Sequence, residues 1–332
     1  LRDGDRIWVQ DYHLFPLAAE LRARGVTASI GHFLHIPFPG PGDCGALPNP
    51  EELFDWLSHY DLVGFQTERD LGAFAESGRQ LSDMDHLSDT DFRLSGRKLQ
   101  AGVFPIGIDA KDFIAEAQDA PDEDRMRSLT GAKMMIGVDR LDYSKGIPHR
   151  FRAYQLLLDQ NPDMSEGISF LQIAPPTRGE VEAYQDIREE TEHLAGRING
   201  QFASLNWTPI RFIHRAIPRR VLAGLYRQAA IGLVTPLADG MNLVAKEYVA
   251  AQDPADPGVL ILSRFAGAAE TMEQALIINP HDPHDTAQAM AQAMRMPLEE
   301  RRERHAALLK GVVDQDIAWW SATYLDALAR AT

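Results

Sequence analysis

IGLVTPLADGMNLVAKEY, residues 231–248, decides how the rest of the chain is read. The apolar run from Ile231 to Thr235 ends at Pro236, with the length and composition of a buried strand. Asp239-Gly240 supplies a turn, and a helix follows with Asn242 or Asp239 as its N-cap. Leu243, Val244, Tyr248 and Ala251 recur at helical spacing and form the expected buried face. Glu247 falls on that same face. A carboxylate there needs a partner. Two kinds would serve: the hydroxyls of a ligand, or a nearby Arg or Lys. The helix N-terminus beside Gly240 suits an anion.

Working outward, the same alternation repeats. Strands are expected at 133–138, 168–173, 210–214, 258–263 and 275–278, with helices at 147–159, 178–195, 218–228 and 284–296 between them. Upstream, a short strand from Ile7 to Val9 leads to a helix over Leu17 to Arg24, with Pro16 at its N1 position and Gly25 as its stop. A strand over Ser29 to Leu34, a helix over Pro50 to Tyr60, a strand over Leu62 to Gln66 and a helix over Glu68 to Glu76 follow. Residues 80–100 read as loop with short strands, and Val103 to Ile106 as a strand. Gly107-Ile108-Asp109 then marks the crossing into a second domain. A last helix, 314–329, carries Trp319, Trp320 and Tyr324 and docks on a domain surface. Apolar strands each followed by a helix indicate parallel sheets covered on both faces. The expectation is an α/β chain of two Rossmann-like domains, 1–109 and 110–310, with residues 311–332 crossing back to the first.

A length of 332 residues suits two domains of about 150 each. The net charge of −15 argues against a general nucleic-acid surface or an anionic membrane surface as partner. No apolar run approaches the roughly 20 residues of a membrane span, and no signal peptide is visible. The single cysteine, Cys44, allows no internal disulfide and no cysteine-based metal cluster, which suits a cytoplasmic protein. The chain starts at Leu1 and reaches its first strand almost at once, so it reads as cut into, not begun.

Asp11, His35, Arg140, Pro175 to Arg178, His214 and Asp239 each come just after a predicted strand. Ligands of open α/β sheets bind at those carboxyl ends, and the set points to a cleft between the domains. In GVDRLDYSKG, residues 137–146, Arg140 and Lys145 share one loop flanked by Gly137 and Gly146. A guanidinium fork and an ammonium together suit a diphosphate and its departing charge. The alternative is a solvated loop in which Asp139 and Asp142 neutralise both cations. HDPHD at 281–285 reads as a turn and not a metal site. His13 and His59 read as core or helix-cap histidines, Trp319 and Trp320 as packing, and Lys246 as facing away.

VQDYHL, HIPFP, VDRLDYSKG, RINGQF, LVTPLADGMNLVAKEYVAAQ and SRFAGAA together resemble the trehalose-6-phosphate synthase family. These are retaining glycosyltransferases of the two-domain GT-B fold, and the resemblance runs from about Asp5 to the last helix. It implies an active site in the interdomain cleft and transfer of glucose from UDP-glucose to glucose 6-phosphate, giving trehalose 6-phosphate and UDP. Arg140 and Lys145 would hold the diphosphate. Gly240, Met241, Asn242, Leu243 and Val244 would line the donor site, with Glu247 on the ribose and Ile217 against the uracil, where the family often has Phe. Asp239 would bind the donor glucose, and His35 would sit near the sugar in transfer. Asp11 and Arg178 would bind glucose 6-phosphate, Arg178 at its phosphate. The family picture has no protein nucleophile, no cofactor and no metal. The family also uses an N-terminal segment, with an Arg for the acceptor phosphate and a Gly-rich loop beside the diphosphate; its match would precede Leu1. Two alternatives stay open: the same chemistry on another acceptor such as glycerol 3-phosphate, and a non-catalytic sugar-phosphate-binding homologue. A homo-oligomer is also left open.

Overall fold

The computed structural model describes residues 1–2, 4–120, 133–176 and 182–331. Contacts divide it into two units, Leu1–Ile106 with Ile317–Thr332, and Gly107–Asp316.

The sheet of the first unit is built from β1 (Arg6–Gln10), β2 (Ser29–Phe33), β3 (Leu62–Phe65), β4 (Asp85–His86), β5 (Asp91–Leu94) and β6 (Arg97–Val103), in the order β1-β2-β3-β6-β5-β4. The first four in that order are parallel and the last two pairings antiparallel. Helices α1 (Leu17–Ala23), α2 (Pro41–Gly45), α3 (Pro50–Leu57) and α4 (Glu68–Leu81) occupy the connections. Phe74 centres the core, its ring 5.5 Å from Phe38, 5.1 Å from Phe65 and 5.6 Å from Phe92.

Three expectations for this unit change. The sheet is mixed, because β5 and β6 are joined by the tight turn Ser95-Gly96, with φ of 48° and 72°. A two-residue turn with both φ positive makes an antiparallel hairpin. The segment 103–106 is not a new strand: β6 ends at Val103, and Pro105 cannot donate to a ladder. The chain stays tied to β3's neighbourhood through Phe104 N to Phe65 O at 2.8 Å and Ile106 N to Gln66 Oε1 at 3.0 Å. Finally, α4 continues past Glu76 because Ser77 and Gly78 extend its buried face.

The second unit is a six-stranded, wholly parallel sheet: β7 (Lys133–Val138), β8 (Ile168–Ile173), β9 (Ile210–Ile213), β10 (Ile231–Val234), β11 (Val259–Ser263) and β12 (Leu276–Ile278). Its order, β12-β11-β10-β7-β8-β9, is that of a doubly wound dinucleotide-binding sheet. The winding reverses between β7 and β10, and the crevice at that reversal is where such sheets bind ligands. The helices are α5 (Ala110–Gln118), α6 (Ile147–Gln160), α7 (Glu182–Phe202), α8 (Arg219–Gln228), α9 (Leu243–Ala251), α10 (Pro283–Arg295) and α11 (Leu298–Asp314). Met135, Phe151, Tyr154, Phe170, Leu233 and Ile261 are fully buried at the centre of its core.

The last helix, α12 (Ile317–Arg330), belongs to the first unit. It starts after a break at Gln315–Asp316 instead of at 314. The Tyr324 hydroxyl donates to His32 O at 2.9 Å, and its ring stacks on Trp8 at 4.3 Å. Gly31 and Gly64 make room: a Cβ on Gly31 would collide with the Tyr324 hydroxyl, and one on Gly64 would lie 2.7 Å from its ring. Trp320 packs in the same cluster. Among the described residues, no helix is long and apolar enough to cross a membrane.

Candidate active site

The loop after β7 carries Arg140 and Lys145. Arg140 is exposed, whereas its neighbour Asp139 is buried and paired with Arg150 at 2.9 Å. Asp142 does not neutralise the loop by mere solvation. It caps the turn Tyr143–Lys145, accepting from Ser144 N at 2.9 Å, Ser144 Oγ at 2.8 Å and the Tyr184 hydroxyl at 3.2 Å. Burial pushes its carboxyl up, but these hydrogen bonds and the Lys145 charge outweigh that and hold it below the usual range. Gly146 closes the loop at φ 65°, and a Cβ there would lie 2.6 Å from Thr235 O. Only glycine lets this loop rest against the end of β10.

Lys145 reaches across the switch point. Its Nζ lies 2.5 Å from Asp239 Oδ2, in the loop after β10. The same carboxylate oxygen accepts from Asn242 Nδ2 at 2.9 Å, and Asp239 Oδ1 accepts from Gly240 N at 3.1 Å. Asn242 sits at φ 69° and is the N-cap of α9, its side chain accepting from Ala245 N at 3.4 Å. One carboxylate, one ammonium and one amide are thereby fixed at the mouth of a helix N-terminus, with Gly240 and Met241 between them.

The burial of α9 differs from its periodicity. Ala245, Lys246, Tyr248, Val249, Ala250 and Ala251 are buried, while Leu243, Val244 and Glu247 are only half-buried. Lys246 does not face away: it is 2% exposed, and burial lowers its pKa to about 8. The helix is covered nearly all round, so the half-buried face is the one that carries Glu247. Of the two partners expected for Glu247, the basic residue is engaged elsewhere. Arg219 at the start of α8 pairs with Asp112 at 2.8 Å and Glu116 at 3.0 Å and lies over the Phe113 ring at 5.2 Å. Burial pushes Glu247 up to about 7; the Arg219 charge pulls it down and Glu116 pushes it further up. Ile217, half-buried, lies in the loop between β9 and α8.

In the first unit, Asp11 follows β1 with φ 67° and ψ 163°, a region that only glycine adopts freely and that costs an L-residue about 1–3 kcal/mol. Four bonds hold it: Asp11 N to Phe33 O at 2.8 Å, Leu14 N to Asp11 O at 3.2 Å, His32 Nε2 to Asp11 O at 3.1 Å, and Tyr12 N to Asp11 Oδ1 at 3.0 Å. Of the non-glycine residues described at positive φ, Asp11 and Asn242 are both candidate site residues, and the third, Ser95, serves the hairpin. His35 is half-buried, with Nε2 2.8 Å from Gln10 Oε1. Burial lowers its pKa and the Asp11 charge opposes this. His32 beneath is wholly buried, and burial lowers its pKa to about 4. Arg178 lies outside the described residues.

The residues set aside in the sequence have structural duties. His59 Nδ1 bonds Asp55 O at 2.8 Å at the end of α3, while His13 is exposed, not core, and stacks on Tyr12 at 3.8 Å. In HDPHD, Asp282 caps α10 by accepting from His284 N at 2.9 Å, and Asp285 accepts from Asn279 N at 2.7 Å. Among the described residues, no three His, Cys, Asp or Glu side chains are grouped to hold a metal. Sequence reasoning missed Gln10 behind His35 and Arg150 behind Asp139. Arg150 did carry a signal: it sits in the apolar helical register with Ile147, Phe151 and Tyr154.

Two α/β units, one a doubly wound sheet with cations and a helix N-terminus at its switch point, define the class: a nucleotide-binding α/β protein. Residues 1–330 match the model of glycosyltransferase family 20, and the chain belongs to that family. It is 48% identical to the trehalose-6-phosphate synthase of Enterobacter sp. (strain 638), over 100% of this chain and 71% of that one. Among solved structures, an E. coli structure bound with UDP-2-fluoro glucose matches with a TM-score of 0.95 at 46% identity, over 99% of this chain and 74% of that one. A UDP-forming alpha,alpha-trehalose-phosphate synthase from Burkholderia xenovorans, in complex with glucose-6-phosphate, matches with a TM-score of 0.96 at 47% identity, over 99% and 74%.

Proposed function

We propose that this chain moves glucose from UDP-glucose to glucose 6-phosphate with retention of configuration, giving trehalose 6-phosphate and UDP. The observation that carries the reading is the cluster Lys145–Asp239–Asn242 at the switch point, with Arg140 exposed in the same loop as Lys145. Arg140 and Lys145 take the diphosphate and stabilise the charge that builds on it as the glycosidic bond breaks. The α9 N-terminus, with Gly240, Met241, Leu243 and Val244, adds donors and a positive end. Asp239 accepts from hydroxyls of the donor glucose and Glu247 from those of the ribose, while Ile217 packs on the base. His35 lies near the sugar in transfer, and Asp11 and Arg178 hold the acceptor. The acceptor hydroxyl attacks from the face the diphosphate leaves, and the leaving phosphate takes its proton. A single, buried cysteine and a nucleotide-sugar donor fit a cytoplasmic enzyme.

The test is UDP release from UDP-glucose with glucose 6-phosphate or glycerol 3-phosphate as acceptor, with the anomeric configuration of the product read by NMR. Release with glucose 6-phosphate and an α,α-linked product are expected. Preference for glycerol 3-phosphate, or no release with either, overturns the reading.

A further inference from the structure

Arg150 is the largest fully buried side chain described, 1% exposed, on a helix whose neighbouring buried positions are apolar. Its guanidinium reaches three strands. One Nη lies 2.9 Å from Asp139 Oδ2 at the end of β7, Nε donates to Thr235 Oγ1 at 2.9 Å just past β10, and the other Nη donates to Gln172 Oε1 at 2.8 Å in β8. The space is reserved for it: a Cβ on Gly137 would collide with both the guanidinium and Gln172. Two of these strands, β7 and β10, flank the switch point, and β8 lies beside β7. The loops that leave them carry Arg140 and Lys145 after β7, and Asp239 through Asn242 after β10.

We propose that Arg150 is a positioning residue for the donor subsite, locking the carboxyl ends of β7, β8 and β10 so that Arg140, Lys145 and Asp239 meet the diphosphate and sugar in one geometry. The inference rests on the reading of those three residues as donor-binding groups. A guanidinium suits the task because its planar fork holds several acceptors in fixed directions, which an ammonium on a flexible stem does not. Its charge matters as well. Asp139 is buried within the electrostatic reach of both Lys145 and Asp239. Burial pushes the Asp139 carboxyl up, and Arg150 and Lys145 are the charges that hold it down. Without Arg150 it would either draw on Lys145 in competition with Asp239 or take up a proton and release its hold on the end of β7. A buried pair can serve specificity more than stability. Here the specific thing is the relative placement of two loops that Leu237 N to Ser144 O, at 2.7 Å, also joins.

The role predicts a split between binding and stability. Thr235→Val keeps the shape and removes one acceptor, so it tests the tether without emptying the core; Thr235→Ser keeps the hydroxyl. Tyr154→Phe removes the bond from the Tyr154 hydroxyl to Ile168 O, 3.0 Å, at the opposite end of β8, and is the stability control. UDP affinity of the 332-residue chain is measured by calorimetry, beside the melting temperature. Thr235→Val is expected to weaken UDP binding roughly tenfold, Thr235→Ser to restore it, and Tyr154→Phe to lower the melting temperature with UDP affinity unchanged. If Thr235→Val lowers the melting temperature but binds UDP like the parent, Arg150 is structural only and the proposal is overturned. Arg140→Ala, run alongside, separates the two levels: unchanged UDP affinity in that variant overturns the donor-site reading itself.

Discussion

Lys145 Nζ lies 2.5 Å from Asp239 Oδ2, joining two loops 94 residues apart in the chain. The pair is partly buried, and Asn242 shares the same oxygen. The ammonium is therefore oriented before any ligand arrives, and the carboxylate is held from two sides.

Asp239→Asn and Lys145→Met should each lower kcat/KM by tenfold or more, since charged hydrogen bonds contribute about 1.5–3 kcal/mol. Because the two groups form one network, the double variant should lose less than the product of the single losses. Strictly multiplicative losses would show that the pairing has no functional coupling.

Arg140 is exposed and contributes little to the fold. Arg140→Ala should change the unfolding free energy by no more than the roughly 0.5 kcal/mol of a surface substitution while lowering turnover efficiency about tenfold to a hundredfold. Parallel loss of stability and activity would contradict a role at the diphosphate.

Glu247, pushed up to about 7 from 4.5 by burial, binds a proton in the folded state that the unfolded chain has released. Between those pH values the folded state holds more protons, so its stability falls as pH rises, by about 3 kcal/mol in full. Glu247→Gln should remove that loss and be more stable than the parent at pH 8. It should also bind UDP more weakly there, and its affinity should vary less between pH 6 and 8. The terminal phosphate of UDP titrates in the same range, so the difference between parent and variant is the quantity to read. A variant less stable at pH 8 with unchanged UDP affinity would make Glu247 structural.

His32 has the opposite sign. Burial lowers its pKa from 6.5 to about 4, so the unfolded chain takes up a proton in that window and the native state does not. Stability of the first unit should rise with pH across it, by about 3 kcal/mol in full. His32→Gln should flatten that slope in denaturant titrations at pH 4.5, 5.5 and 6.5. An unchanged slope would assign the acid sensitivity to other groups.

The candidate site was legible where chemistry and chain position coincide. Arg140, Lys145, Asp239 and Asn242 announce themselves as polar residues just past apolar runs, in loops marked by Gly137, Gly146 and Gly240. Periodicity failed on α9 because it assumes one wet face. A helix covered nearly all round hides Lys246 and leaves Glu247 half-exposed. The short strands expected within 80–100 are there, but no pattern showed that Ser95-Gly96 turns the chain back on itself and makes the sheet edge antiparallel.

The sequence by itself determined the alternation of strands and helices and which loops carry the charged groups, because both depend on neighbours a few residues apart. Tertiary structure alone decided who pairs with whom. Asp139 turns inward to Arg150 and leaves Arg140 exposed, and Lys145 finds Asp239. Strand order decided these partners: placing β10 beside β7 brings together loops that no local pattern relates. A buried charge then takes the partner that geometry supplies, because leaving it unpaired costs more than any local preference can offset.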